Sequence, residues 1–341
     1  MEFASYLVLL AVGLLVVGQT VAVSGFVRSL TRFRKTSQGS HQKLSDKSLP
    51  TVAVILSLRG PDPFLGGTLK ALTSLDYPDY EVHLIVDSET DPVWKDIRSA
   101  LADCDSKRVQ IQTLKNVLPT CSLKCSSLVQ AIQSLHEQVE VVAFVDGDAV
   151  PHRLWLKDLV TPLVLDSSVG VVTGNRWFVP RNLQWGTLVR YFWNVGAVVQ
   201  VWLNGIVWAG SMAMRRDVID RIELLDAWSK ALSVDATICR QLRKHRLKVQ
   251  FAPTVMMANR EDIGLAKFVG WVQRQLVAAK SCGPNWRIVA LHAFSLTGSQ
   301  IAALILVILA AATGNQQALI ISLCAMAIYW ISAAVSTVAD Q

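Results

Sequence analysis

The sequence predicts an α/β fold in which a mostly parallel sheet is flanked by helices and joined to membrane-spanning helices at both ends. Short β-branched runs alternate with stretches of helical spacing between residues 51 and 251, an order typical of parallel sheets with crossover helices. Of the 341 residues, 52% are hydrophobic, a high fraction for a soluble protein of this length. The apolar excess lies mainly at the two ends, which indicates one soluble domain held between membrane segments.

The alternation is visible in individual segments. We predict strands over residues 52–56, 80–86, 109–113, 141–145, 169–173, 210–214 and 248–251. Helical spacing occurs over residues 65–75, 93–101, 126–138, 154–161, 236–245 and 265–279. The sequence contains no GxGxxG or GxxxxGK[ST] motif, so dinucleotide and P-loop binding receive no support.

Three apolar runs are long enough to cross a bilayer, at residues 6–27, 288–313 and 318–338. The basic residues that follow the first run are Arg28, Arg32, Arg34, Lys35, Lys43 and Lys47. A basic cluster of this kind favours anionic lipid headgroups and a cytoplasmic position for the soluble domain. It accounts for much of the net charge of +7, and because no nucleic-acid motif is present we expect no nucleic-acid partner.

These patterns divide the chain into five segments. We predict a membrane anchor over 1–28, a basic linker over 29–50, the sheet domain over 51–260, an interfacial amphipathic helix over 261–287 and two membrane helices over 288–341. Within the domain, residues 183–208 are apolar and rich in Trp and Tyr. That stretch fits a further buried span, a segment at the lipid–water interface, an acyl-chain groove or an ordinary pair of core helices.

The sharpest candidate site follows the predicted strand 141–145, which runs directly into Asp146-Gly147-Asp148. A continuous apolar strand is typical of the buried centre of a parallel sheet, and ligands bind at the carboxyl edge of such sheets. Two carboxylates this close suit Mg²⁺ or Mn²⁺ that bridges to phosphate oxygens. The alternative is a solvated Asp-Gly turn, because Asp-x-Asp alone is common.

Further motifs stand in a fixed order around this pair. They are Arg59-Gly60-Pro61-Asp62-Pro63, Leu75-Asp76-Tyr77-Pro78-Asp79-Tyr80-Glu81-Val82, Asp87, Lys124, Asp146-Gly147-Asp148, Asp235 and Gln273-Arg274. In this order the sequence resembles the membrane-bound family-2 glycosyltransferases with a GT-A catalytic domain, and among them the ceramide glucosyltransferase-like branch. The resemblance covers residues 51–280, so the fold it implies is a GT-A, Rossmann-like, mostly parallel sheet over 51–260.

The resemblance also implies roles for single residues. The donor-binding set would be Arg59, Asp87, Lys124, Asp146, Gln273 and Arg274, with Asp87 at the nucleoside and Lys124 near the donor phosphates. Asp146 and Asp148 would hold Mg²⁺ or Mn²⁺, and Asp235 would be the general base. Three of these residues have a plainer alternative: a strand-end turn for Asp87, a solvated lysine for Lys124 and a helix-dipole partner for Asp235.

The implied reaction is an inverting transfer of a hexose, glucose first, from a UDP-sugar to a membrane lipid hydroxyl at the cytoplasmic face. A divalent ion would neutralise the departing diphosphate, and a carboxylate opposite the leaving group would accept the hydroxyl proton. A retaining double displacement needs a positioned nucleophile, and the sequence offers no candidate for one.

The sequence departs from the family pattern at three points. Val234 precedes Asp235 where the family has Glu, the Gln-x-x-Arg-Trp motif is reduced to Gln273-Arg274, and Ser57 replaces a proline. Two alternative functions therefore stay open. One is a processive polysaccharide synthase-like enzyme, and the other is a catalytically inactive, membrane-anchored binding or scaffold relative.

Overall fold

The computed structural model describes residues 1–43, 48–102, 104, 106–282 and 286–339. It separates into two compact units, one formed by Met1–Ser29 together with the C-terminal helices and the other by Leu30–Cys282. Lys47, the last residue of the predicted basic cluster, lies outside the described residues.

The described chain contains nine strands. They are β1 (Val52–Leu58), β2 (Tyr80–Val86), β3 (Val109–Thr113), β4 (Val141–Val145), β5 (Val169–Thr173), β6 (Arg176–Phe178), β7 (Ser211–Arg215), β8 (Lys248–Phe251) and β9 (Met257–Asn259). All seven predicted strands are present, but the two three-residue strands β6 and β9 were not predicted.

Seven of these strands form one sheet in the order β3-β2-β1-β4-β7-β5-β8. The pairs β1–β2, β2–β3, β1–β4 and β5–β8 are parallel, whereas β7 runs antiparallel to both β4 and β5. The expectation of a mixed, mostly parallel sheet is therefore confirmed. Strands β6 and β9 form a separate parallel ribbon.

The helices of the described chain are α1 (Glu2–Lys43), α2 (Leu65–Leu72), α3 (Val93–Leu101), α4 (Leu123–Gln133), α5 (Trp155–Leu165), α6 (Trp185–Asn204), α7 (Arg216–Arg221), α8 (Leu224–Trp228), α9 (Val234–Lys244), α10 (Leu265–Cys282), α11 (Trp286–Thr313) and α12 (Gln316–Ala339). Helix α1 continues through the first part of the predicted linker 29–50. Helix α4 begins three residues before its predicted start at 126, because Ser122 caps it by accepting a hydrogen bond from the Cys125 amide at 3.3 Å.

The sheet has a hydrophobic core on each face, because successive side chains of a strand point to opposite sides. Val141, Ala143 and Val145 pack with α2, α3 and α5, whereas Val142 and Phe144 pack with α4, α8 and α9. All five residues of β4 are buried. This strand is therefore fixed on both faces, and the residue after it emerges at a rigid point of the sheet edge.

In the unit formed by the chain ends, the helices are apolar and joined by polar contacts. The Ser5 and Ser322 hydroxyls lie 3.1 Å apart, and the Gln317 amide donates to the Tyr6 hydroxyl at 3.1 Å. Among the described residues, two helical stretches are long and apolar enough to cross a membrane, Glu2–Phe33 and Trp286–Thr313. The third predicted span, 318–338, lies in α12, where the apolar stretch Gln316–Ser332 is shorter, so three spans are not shown.

Candidate active site

The candidate site forms where three parallel strands end at one edge of the sheet. Residue pairing aligns Val52 with both Tyr80 and Val141, so Asp87 after β2 and Asp146 after β4 emerge on the same side. Strand β7 starts at this edge, because Ser211 pairs with Val145. The topology therefore gathers residues from distant parts of the sequence, as expected for the ligand-binding edge of an open α/β sheet.

Two glycines, Gly147 and Gly210, lie in the closely packed surroundings of Asp146. A Cβ on Gly210 would stand 2.5 Å from Oδ2 of Asp146 and 2.1 Å from the Trp208 ring, and a Cβ on Gly147 would stand 3.1 Å from the Leu58 side chain. The Thr68 hydroxyl donates to the Gly147 carbonyl at 2.9 Å and fixes the turn between the acids. A larger residue at 210 would therefore collide with the Asp146 carboxylate, whereas a larger residue at 147 would press on the Leu58 side chain.

Lys124 meets Asp146 directly. Its Nζ lies 2.6 Å from Oδ1 of Asp146, and it is held in the first turn of α4 by the Ser122 cap. Burial lowers the pKa of Lys124, but the carboxylates of Asp146 and Asp235 outweigh it and hold the pKa above its ordinary value. Lys124 is therefore a cation shared by two of the predicted acids.

Arg176 is the main site residue that the sequence analysis missed. Its Nη2 donates to Oδ2 of Asp146 at 3.1 Å and to Oδ1 of Asp148 at 2.8 Å. The guanidinium also lies over the Trp208 ring, 5.2 Å from the centroid. β6, which carries Arg176, is too short for a periodic pattern, so no signal in the sequence marked this arginine.

Asn259 was missed as well. It lies on β9, and its Nδ2 donates to Oδ2 of Asp148 at 3.2 Å. The ribbon formed by β6 and β9 therefore places one cation and one amide on the carboxylates.

Asp235 is not part of the acidic pair, but it interacts electrostatically with Lys124, Asp146 and Arg176. It lies in the first turn of α9, which Ser233 caps, and its Oδ1 accepts a hydrogen bond from the Ala209 amide at 2.9 Å. Ala209 immediately precedes Gly210 and β7, so one loop touches both Asp146 and Asp235. Val234 is buried in the apolar core instead of joining the acids, which accounts for an apolar residue at that position.

The acids differ in their readiness to ionise. Burial opposes ionisation of Asp146, but Lys124 and Arg176 outweigh it, so its pKa lies below the ordinary value. Burial raises the pKa of Asp148 and outweighs Arg176. Burial likewise raises the pKa of Asp235 and outweighs Lys124. A carboxyl with a raised pKa beside one that is firmly ionised is the arrangement that separates acid–base from electrostatic roles.

Asp87 and Arg59 form a second group at the same sheet edge. Nε of Arg59 lies 3.6 Å from Oδ2 of Asp87, with 74% of the arginine side chain and 12% of the aspartate side chain exposed. Burial raises the pKa of Asp87 against the opposing charge of Arg59. The loop around them is fixed by Asp91, which accepts two contacts from the Gly60 amide at 3.0 and 3.1 Å.

Gln273 and Arg274 are not brought to the acids. Both are exposed on α10, and within the described chain none of the polar contacts of Asp146, Asp148 or Asp235 involves them. Trp271 of the same helix instead packs on Phe178 of β6, with ring centroids 5.5 Å apart. Helix α10 therefore contacts the ribbon that carries Arg176 through Trp271 and not through Gln273 or Arg274.

The acidic pair fits a divalent ion. Asp146 and Asp148 each direct one carboxylate oxygen at the same nitrogen of Arg176, so their oxygens already converge on one positive group. No cluster of three or more His, Cys, Asp or Glu side chains suited to a metal occurs among the described residues. Two carboxylates are nevertheless enough for Mg²⁺, which commonly completes its shell with water and substrate phosphates.

Comparison with known proteins gives a family and a fold for this chain. A family model described as "Glycosyl transferase family 21" matches residues 17–340. The mannosyltransferase PcManGT from Pyrobaculum calidifontis, solved with GDP-Man and Mn²⁺, is 19% identical with a TM-score of 0.56, and the match covers 98% of this chain and 99% of that chain. Glucosyl-3-phosphoglycerate synthase from Mycobacterium tuberculosis, solved with Mn²⁺, UDP and glucosyl-3-phosphoglycerate, is 16% identical with a TM-score of 0.44, over 70% of this chain and 82% of that one.

The mixed sheet and the family match define a glycosyltransferase of the GT-A type. The chain belongs to glycosyl transferase family 21. The sequence motifs had placed it near family 2, so the class of enzyme is confirmed, with family 21 as the family shown.

Proposed function

We propose that this glycosyltransferase moves a hexose, with glucose as the first candidate, from a UDP-sugar to the hydroxyl of a membrane lipid, with inversion at the anomeric carbon. The observation that carries the proposal is the convergence of Lys124 and the Asp146/Asp148 pair beside a separate carboxyl, Asp235. Charge for a departing diphosphate and a base for an incoming alcohol are the two things this reaction requires.

On the donor side, Asp146 and Asp148 would hold Mg²⁺ or Mn²⁺, which supplies charge neutralisation to the leaving diphosphate. Lys124 would add a second positive charge at the phosphates, because its ammonium lies beside Asp146. Asp87, half-buried at the neighbouring strand end and paired with Arg59, would accept hydrogen bonds from the nucleoside.

On the acceptor side, Asp235 would accept the proton of the lipid hydroxyl as it attacks the sugar. Its raised pKa makes it a stronger base than an ordinary aspartate. The Ala209 amide holds one carboxylate oxygen and leaves the other for the alcohol. Attack by this hydroxyl on the face of the sugar opposite the departing diphosphate would invert the anomeric centre.

A lipid acceptor is supported by an exposed aromatic surface on the sheet domain. Helix α6 buries one face against the domain, while Trp185 and Phe192 are 76% and 57% exposed. Helix α10 adds Leu265 and Val277, which are 54% and 62% exposed. Aromatic and aliphatic side chains in this density favour the lipid–water interface, and the basic residues after the first apolar run favour its cytoplasmic side.

The direct test is release of the nucleoside diphosphate, UDP or GDP according to the donor, by the purified protein in lipid nanodiscs with Mn²⁺ or Mg²⁺. UDP-glucose and GDP-mannose are offered in turn, each with ceramide, diacylglycerol, a hopanoid or a polyprenyl phosphate as acceptor. We expect acceptor-dependent release of UDP that Asp148→Ala abolishes. If UDP-sugars neither bind nor turn over, or if Asp148→Ala changes nothing, the proposed function is wrong.

Replacement of Lys124 tests the leaving-group role. Lys124→Met removes the ammonium 2.6 Å from Asp146 and should lower kcat by about 10²-fold, the effect of removing one preorganised charge from a developing anion. Lys244→Met, at the exposed far end of α9, is the matched control and should keep wild-type kcat. Equal rates for the two variants would exclude Lys124 from the reaction.

The acceptor surface is tested by the double variant Trp185→Ala/Phe192→Ala. Because both side chains are largely exposed, the melting temperature should stay constant, whereas KM for a long-chain lipid should rise about tenfold through lost apolar burial. KM for a short-chain, water-soluble acceptor should change less than twofold. Ile111→Ala, at an exposed apolar position on edge strand β3, is the control, and an equal rise in KM for both acceptors would contradict the assignment.

A further inference from the structure

Arg176 stands where a bound cation would be expected. A single nitrogen, Nη2, donates to carboxylate oxygens of both Asp146 and Asp148. The remaining oxygen of Asp148 is bonded by Asn259, and the remaining oxygen of Asp146 is bonded by Lys124. One positive group therefore bridges two carboxylates that would otherwise repel each other at short range.

The arginine is held by the fold and is not a mobile surface side chain. The Asn194 amide donates to the Arg176 carbonyl at 3.0 Å and accepts from the Phe178 amide at 3.2 Å, so α6 clamps both ends of β6. The Trp208 ring supports the guanidinium from one side, and 24% of the side chain is exposed. The guanidinium has an accessible face while its backbone is fixed.

Oδ2 of Asp146 and Oδ1 of Asp148 converge on the position of Nη2. A divalent ion bound at that point would take the place of this nitrogen and of its two hydrogen bonds. The backbone of β6 is held by Asn194, so a displaced guanidinium would remain on the same side chain beside the acidic pair. Its planar set of N–H donors matches phosphate oxygens.

We infer that Arg176 is an internal stand-in for the divalent ion and a donor-binding residue. It neutralises the acidic pair before the donor arrives, competes with the ion for Asp146 and Asp148, and pairs with the donor diphosphate once the ion is bound. The inference rests on the proposed function, because it assigns Arg176 to the same donor site. Competition from Arg176 would weaken binding of the ion when no nucleotide is present. Pairing of Arg176 with the diphosphate would remove that competition, so the ion and the donor would bind cooperatively.

The test is the binding of Mn²⁺ and UDP to Arg176→Gln in the full-length protein. Mn²⁺ alone, measured by the electron paramagnetic resonance of the free ion, should bind about tenfold more tightly than in wild type because the competing guanidinium is gone. UDP in saturating Mn²⁺, measured by calorimetry, should bind about tenfold more weakly because a charged phosphate contact is lost. Arg221→Gln, an exposed arginine on α7 beyond the opposite end of β7, removes the same charge and should change neither affinity.

The predicted changes in Mn²⁺ affinity and UDP affinity have opposite signs. A folding defect would instead weaken the binding of both ligands. Arg176→Lys keeps the charge but loses the planar fork, so it should show the same two shifts at smaller size if Arg176→Gln does not fold. Unchanged or weaker Mn²⁺ binding in the folded variant would overturn the inference while leaving the proposed function intact. A wild-type protein that binds neither Mn²⁺ nor UDP would overturn both.

Discussion

Asp235→Asn is expected to lower kcat by about 10³-fold, the middle of the range for loss of a positioned general base. The substitution preserves shape, and an Asn oxygen can still accept the Ala209 hydrogen bond seen at 2.9 Å. Affinity for UDP in the presence of Mn²⁺ should therefore stay within about twofold of wild type. Loss of rate with retained donor binding is the signature of a group that acts in the chemical step.

The same substitution should make the folded protein more stable at pH 7. Burial raises the pKa of Asp235 from 3.8, so the folded state binds its proton more tightly than the unfolded state does. Stability from this group is fully present below pH 3.8 and is lost as the pH rises through the folded pKa. Asn carries no such penalty, so the variant should melt at a higher temperature at pH 7, and this difference should vanish towards pH 4.

The pH dependence of wild-type kcat/KM follows from the same shift, because kcat/KM reports the pKa values of the free enzyme. A base must be unprotonated, so kcat/KM should fall as the pH drops through the raised pKa of Asp235. The acid limb should lie above the ordinary aspartate value and should be absent from the residual activity of Asp235→Asn. If that variant keeps the wild-type rate and the wild-type acid limb, the base is another group.

Asp146→Asn is expected to have an effect of similar size, with the opposite effect on stability. Asp146 accepts from both Lys124 and Arg176, so the variant should lose the divalent ion and lower kcat by about 10³-fold. Leaving the two cations without their shared partner should also reduce the free energy of unfolding by about 2 kcal/mol, less than for a fully buried pair because Lys124 is partly exposed.

The loss of stability in Asp146→Asn should depend on pH. Lys124 and Arg176 outweigh burial and lower the pKa of Asp146 below 3.8, so its stabilisation is present above that value and is lost as the pH falls through the folded pKa. Asp146→Asn should therefore melt at a lower temperature at pH 7 and approach wild type in strong acid. Asp226→Asn, which loses only an exposed pair with Lys230, is the control. An Asp146→Asn variant as stable as that control would show that the acidic pair is not held by these cations.

The sequence was sufficient for the sheet and for most of the acidic residues in the site. β4 is buried on both faces, so its apolar run and its end at Asp146 are visible without a structure. Lys124 and Asp235 were predicted from the family resemblance, and the structure places both in first helical turns, after the capping residues Ser122 and Ser233. Asp87 and Asp146 emerge at the same edge because parallel strands end together, which is a property of the predicted topology.

Other parts of the site had no local signal. Arg176 and Asn259 lie on three-residue strands, which are too short for alternation to be recognised, and tertiary contacts with Asn194 and Asp148 define their positions. Gln273 and Arg274 were predicted from a motif alone, and their place on the exposed side of α10 was not available from periodicity. The polar composition of residues 29–50 suggested a coil. Helix α1 nevertheless extends into this segment, because Ser and Lys are tolerated in a helix.

The central claim is that Asp146, Asp148, Lys124 and Asp235 form one site that transfers a sugar to a lipid. Mass spectrometry of the lipids extracted from cells that express either the wild-type chain or Asp235→Asn tests it most directly. We predict a new lipid species heavier by one hexose with the wild-type chain and its loss with the variant at equal protein level. The same hexosylated lipid in equal amount from both chains, or no such lipid from the wild type across hosts that supply each candidate acceptor, would contradict the claim.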